Sequence, residues 1–189
     1  MLFQRRSFIF YVAVWLLTTW ASGAWADGFA MLTDMGVDNR DGSASIGFNI
    51  SFDDEAPLLD ALQSGGEFEV SCEAELYRHR PALWNVSMGK AVYSCRVAGN
   101  PMARECVVRD ERGRHTFAFD TVRDDLNHFW TGLSLPLAPW ERIERNNLYL
   151  VRMTFKILRT NMSQWVSTPL FFVNWDLVPE TVYEVTFEY

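Results

Sequence analysis

The chain has 189 residues, with 17 Lys and Arg against 24 Asp and Glu, a net charge of −7. That balance argues against a nucleic-acid or anionic-lipid surface, either of which needs concentrated positive charge. The length suits one domain with a real hydrophobic core, and no linker, low-complexity tract or internal repeat divides it.

The first segment reads as an export signal. Arg5 and Arg6 precede an uncharged stretch from Ser7 to Ala26, Phe8 to Leu17 supply its apolar core, and Ala24-Trp25-Ala26 offers small residues to a signal peptidase. Cleavage after Ala26 leaves residues 27–189 as a single β-rich domain in the periplasm and moves the net charge to −9, because two basic and no acidic residues are removed. The same stretch also fits an uncleaved inner-membrane anchor facing the periplasm, since it approaches the roughly 20 residues that span a bilayer. Thr18, Thr19, Ser22 and Gly23 weaken its second half and favour cleavage. Gln4-Arg5-Arg6-Ser7 invites a twin-arginine route as a further alternative.

Strand periodicity dominates the rest of the chain. Ile46, Phe48 and Ile50 alternate with polar residues after a predicted turn at Asn39-Arg40-Asp41-Gly42. A short helix is then expected, with Asp53 or Asp54 as cap, Pro57 in its first turn, Leu58, Leu59 and Leu62 as its buried stripe, and Gly65-Gly66 as its end. Phe68, Val70, Cys72, Ala74 and Leu76 alternate with Glu67, Glu69, Ser71, Glu73 and Glu75, so one side is core and the other faces water. Next comes a basic patch, Arg78-His79-Arg80-Pro81, joined to Trp84. It reads as a solvated turn or as a contact surface for an acidic partner.

Cys95 and Cys106 flank Gly99-Asn100-Pro101-Met102. A symmetric hairpin centred there sets the two opposite each other, close enough for a disulfide in an oxidising compartment; the alternative is two buried thiols. Cys72 falls on an apolar row and reads as core, with pairing to either other cysteine as the rival reading. A second helix is predicted from near Asp120, with Val122, Leu126, Phe129 and Trp130 on one side and Gly132 ending it. The segment from Trp130 to Trp140 alternates Leu133, Leu135 and Leu137, and Pro136 suits it to a sheet edge. Trp130, Leu135 and Trp140 are expected on one margin, as a plug for the core or as an aromatic anchor for a partner or ligand. Tyr149, Val151, Met153, Phe155 and Ile157 form a buried row. Leu148, Leu150 and Leu158 make the other face apolar too, which predicts a central strand. Tyr183, Val185, Phe187 and Tyr189 form a last row.

The pattern predicts a mainly β fold, an antiparallel two-layer β-sandwich, immunoglobulin-like in style, with two short helices; a barrel and an α+β sheet are the alternatives. No cofactor, metal or catalytic motif stands out. His79, His115 and His128 are scattered, and Asp124 with His128 is the best small constellation, four apart on the second helix, where the carboxylate could orient the imidazole or share a metal with it but an ordinary ion pair is the simpler reading. The expectation is a non-enzymatic protein-binding or structural module that contacts an envelope protein or membrane-associated partner. A carrier of a small hydrophobic ligand is the alternative, and a hydrolase with a non-local site the third choice. The candidate contact residues are Arg78, Arg80, Trp84, Trp130, Leu135 and Trp140.

Several segments also carry a resemblance. Leu58-Leu59-Asp60-Ala61-Leu62, the run from Glu73 to Trp84, Tyr93-Ser94-Cys95-Arg96-Val97, and Asn174-Trp175-Asp176-Leu177-Val178 before a Tyr-ended tail resemble the proteobacterial family known as domain of unknown function 4390. Leu62, Glu75, Leu76, Arg78, Trp84, Tyr93 and Trp175 fall on its pattern. The likeness spans roughly residues 35–189 and implies an exported single domain without an assigned activity. The chain is sparser in tryptophan after Arg80 than that family, and its three cysteines belong to no recognised pattern of it.

Overall fold

A computed structural model describes residues 30–53, 56–160 and 176–189, and for 176–179 the backbone alone. The expected signal segment, Asp54 and the Asn174-Trp175 motif lie outside the described residues.

The chain is mainly β, with two antiparallel sheets and two short helices among the described residues. Strand β1 (Ala30–Arg40) turns through Asp41 and Gly42, both at positive φ (50° and 74°), into β2 (Ser43–Phe52), pairing Arg40 with Ser43. An Asp-Gly pair is what such a two-residue hairpin demands. After α1 (Ala56–Gln63) come β3 (Glu67–Arg78), β4 (Val86–Asn100), β5 (Glu105–Asp110), β6 (Gly113–Ala118), α2 (Val122–Phe129), β7 (Leu133–Pro139), a 3₁₀ turn at Trp140–Arg142, β8 (Leu148–Arg159) and β9 (Asp176–Glu188). The small sheet runs β1-β2-β7 and the large one β6-β5-β4-β3-β8-β9.

The period-two rows become the inner faces. Phe68, Val70, Cys72, Ala74 and Leu76 of β3 are buried, and across the register they stand beside Ile157, Phe155, Met153 and Val151 of β8. Strand β8 lies between β3 and β9, as its two apolar faces predict. Ala44, Ile46, Phe48 and Ile50 of β2 complete a single hydrophobic cluster shared by both sheets. Both helices form where the apolar stripes predict them. Leu58 and Leu62 of α1 are buried, and its end is closed by Gly65 N–H to the Leu62 carbonyl (2.9 Å) and Gly66 N–H to the Ala61 carbonyl (2.8 Å). Val122 and Leu126 of α2 are buried, and Trp130 follows them into the core.

Strand β7 is an edge strand, where Pro136 costs least. Its backbone runs against β4: a Cβ at Gly89 would lie 1.8 Å from the Leu137 carbonyl oxygen, so only glycine allows this approach of the two sheets.

The hairpin carrying Cys95 and Cys106 corrects the expected pairing. Its turn is Pro101 to Arg104, two residues later than the symmetric centre, with Arg104 at φ 54°. Cys106 therefore faces Gly99, and Cys95 faces Val70 on the other side. All three cysteines are free and buried, each on the inner face of the large sheet. A register offset of this kind moves the partner of every residue in the hairpin.

Candidate functional site

One end of the molecule gathers several of the expected contact residues. The loop 79–85 leaves β3 at Arg78, and its base is tied by His79 N–H to the Leu148 carbonyl (2.8 Å) and by His79 Nδ1 with Asn85 Oδ1 (3.0 Å). Within it, Arg80 to Leu83 form a tight turn in which Leu83 N–H donates to the Arg80 carbonyl (3.2 Å). Pro81 sets the first central dihedral, and Ala82 sits at φ 61°, a conformation that costs a non-glycine residue ~1–2 kcal/mol. The turn leaves Leu83 62 % and Trp84 85 % exposed. Arg78 Nη1 pairs with Glu144 Oε2 at 2.9 Å, which ties this loop to the segment before β8. Tyr149 holds the same segment, its hydroxyl accepting from Glu144 N–H (2.8 Å).

Trp140 lies half-buried at the same end, edge-on to Tyr189 with ring centroids 5.1 Å apart. The Arg145 guanidinium sits over the Tyr189 ring at 5.8 Å, and hydrogen bonding from Trp140 and then from Arg145 lowers the Tyr189 hydroxyl pKa. Arg78, Arg80, Trp84 and Trp140 thus lie at the same end, linked through the segment before β8. Trp130 and Leu135 do not. Trp130 is fully buried against Phe52 (5.3 Å) and Phe129 (6.4 Å) and presents no contact surface, and Leu135 is 8 % exposed, in the wall of a separate cleft. The expected common margin of Trp130 and Trp140 is also corrected. They stand beyond opposite ends of β7, whose seven residues at ~3.3 Å each separate them by roughly 20 Å.

A second feature escapes motif reading. A cleft of about 240 Å³ opens between β7 and the large sheet, lined by Val92, Tyr93, Asp110, Glu111, Arg112 and residues 132–136. The Asp110 carboxylate is only 1 % exposed. Its Oδ1 accepts from the Arg112 and Gly113 backbone N–H groups (2.9 and 3.2 Å), and its Oδ2 accepts from Arg112 Nε (2.8 Å). The β5–β6 turn therefore saturates its own buried charge. Arg112 also lies over the Phe129 ring (4.8 Å), and His115 packs against it at a tilt (5.0 Å, 57°), its Nε2 3.9 Å from Asp110 Oδ1. Behind the cleft, the buried Tyr93 hydroxyl and Trp130 indole N–H have no partner of normal hydrogen-bond geometry and act on the Cys95 sulfur. Burial pushes the Cys95 thiol up to about 11 despite those two donors, and Cys106 up to about 12; burial also raises Cys72 and Tyr93. The available signal was Asp110 on the inward row of Cys106 and Val108, two residues before an arginine and three before a glycine.

A family model matches residues 29–186. The chain belongs to DUF4390, a domain of unknown function. The matched span contains both the loop and the cleft and ends within β9. No curated protein and no solved structure matches the chain.

Within this DUF4390 domain the groups at the cleft are chemically quiet. The Asp110 carboxylate is already occupied by three donors, and a thiol protonated up to about pH 11 is a poor nucleophile at neutral pH. Asp124 and His128 both stand exposed on α2, and among the described residues no group of three His, Cys, Asp or Glu side chains could hold a metal ion. Among the described residues, no helix is long and apolar enough to cross a membrane.

Proposed function

We propose that this DUF4390 chain is an exported, non-enzymatic binding module: residues 1–26 direct export, and residues 27–189 form one two-layer β-sandwich domain in the periplasm that contacts an envelope component. The observation that carries the reading is the Leu83-Trp84 pair, 62 % and 85 % exposed on a turn whose base is closed by hydrogen bonds. A tryptophan held rigidly in water contributes nothing to the core, while tryptophan anchors supply a large share of contact energy. The hydrophobic-carrier reading has less support. The cleft is smaller than the roughly 300–1,000 Å³ of ordinary ligand sites and has charged residues in its wall.

A photo-crosslinking residue placed at position 84 in exporting cells tests the proposal. Adducts to an envelope protein or lipid are expected there, but not from the same residue at position 102, which is 96 % exposed in the turn at the far end of β4. Equal labelling at both positions, or none at 84, refutes it. Recovery of the protein from the cytoplasm with residues 1–26 intact refutes the export component.

A further inference from the structure

We infer that the Arg80–Trp84 turn is an interfacial anchor that seats on the surface of a phospholipid bilayer, an inference that rests on the proposed contact role and names its partner. Shape is the first argument. The two apolar side chains stand on a convex, closed turn, a knob rather than a flat patch or groove. Together they offer at most about 400 Å² of surface, half of the ~800 Å² that each partner contributes to a standard protein interface. A bilayer needs no such area from one loop, because apolar side chains can enter the headgroup boundary singly.

The order of side chains is the second argument. Arg80 and Leu83 face each other across the turn, Pro81 and Ala82 form its tip, and Trp84 follows Leu83 on the returning limb before Asn85. A cation thus stands beside the two exposed apolar side chains, the combination of an interfacial anchor whose guanidinium meets the phosphates while leucine and indole enter the headgroup boundary. Leu148, 41 % exposed and bonded through its carbonyl to His79, adds apolar surface beside the base.

Charge is the third. The chain carries 24 acidic residues, yet residues 76–104 contain none; of the cations in that span Lys90 is paired with Glu73 and Glu75 and Arg104 with Asp120, while Arg78 and Arg80 belong to this loop. Glu144 approaches this base and is occupied by Arg78. Arg80 has no ion pair among the described residues and is free to meet a phosphate. The acidic remainder of the molecule is repelled by anionic headgroups, which confines the contact to this loop and keeps it reversible.

The test compares tryptophan emission of the wild-type chain and Trp84→Phe on vesicles of phosphatidylethanolamine and phosphatidylglycerol, with and without brominated acyl chains. The difference spectrum isolates Trp84 and reads its depth whether or not the N-terminal segment is retained. Insertion predicts a blue-shifted difference emission that brominated lipid quenches at least twofold. It also predicts a roughly fivefold weaker vesicle partitioning, read from the same shift against lipid concentration, when Arg80→Ala is introduced into the wild type. A difference emission that stays at the solvent-exposed wavelength and is not quenched overturns the inference. If that result accompanies a protein adduct from position 84 in cells, the bilayer assignment fails and the contact reading stands. If no adduct forms either, both fail.

Discussion

Replacing Trp130 by alanine separates a core tryptophan from the exposed one. The Trp130 indole is 0 % exposed and packs on Phe52 and Phe129, so truncation removes the largest fully buried side chain among the described residues and leaves a cavity at the α2 end of the core. Truncations of that kind cost about 3–5 kcal/mol. With a melting shift of roughly 2–4 °C per kcal/mol at this chain length, the midpoint is expected to fall by about 6–20 °C. Trp130→Phe keeps most of the volume and removes an indole N–H that has no hydrogen-bond partner, and a cost below ~1.5 kcal/mol is expected. Trp84→Ala, by contrast, removes an 85 % exposed ring and is expected to change stability by no more than ~0.5 kcal/mol. Urea unfolding followed by circular dichroism measures all three variants on one scale. A Trp130→Ala loss below ~1 kcal/mol, or a Trp84→Ala loss of equal size, refutes the assignment of these two tryptophans to core and surface.

Further outcomes are expected for the thiols, the sheet contact and the C-terminal ring. The thiols of Cys72, Cys95 and Cys106 should be inert to an aromatic disulfide reagent at pH 8 in the folded protein and all three reactive in urea; fewer than three thiols in urea means that a disulfide is present after all. Because burial raises these thiols above the ordinary ~8.5, the folded chain holds protons that the unfolded chain releases. Stability is therefore level with respect to these groups below about pH 8.5 and falls as pH rises toward 11 and 12, by at most ~1.4 kcal/mol per pH unit per thiol; a flat unfolding free energy from pH 8 to 11 contradicts it. Gly89→Ala drives a methyl group into the Leu137 carbonyl and should cost ~2 kcal/mol or more by urea unfolding, whereas Gly36→Ala, with open space around it, should cost less than half as much. Trp140→Ala should cost ~1–2 kcal/mol and speed amide exchange at the C-terminal end of β9, since its ring packs on Tyr189; unchanged exchange there places the ring elsewhere.

The amino-acid sequence alone determined the local structure. Alternation in β2, β3 and β8 named the buried row of each strand, the Asp41-Gly42 pair named a hairpin, and the leucine stripe and glycine pair named α1, because each signal is complete within a dozen residues of chain. The basic run at 78–80 with Trp84 was visible for the same reason. Tertiary structure decided what those segments meet. A two-residue displacement of the turn at 101–104 separated Cys95 from Cys106, which no pattern in the hairpin specifies. Burial divided Trp130 from Trp84, although both are tryptophans in apolar surroundings, because exposure depends on which distant elements cover a residue. The Tyr93, Asp110 and Arg112 wall of the cleft comes from three places on β4 and the β5–β6 turn, and β7 reaches it only because Gly89 admits the Leu137 backbone. Such a site is made by the packing of sheet on sheet, a long-range event that leaves no local periodicity in the chain.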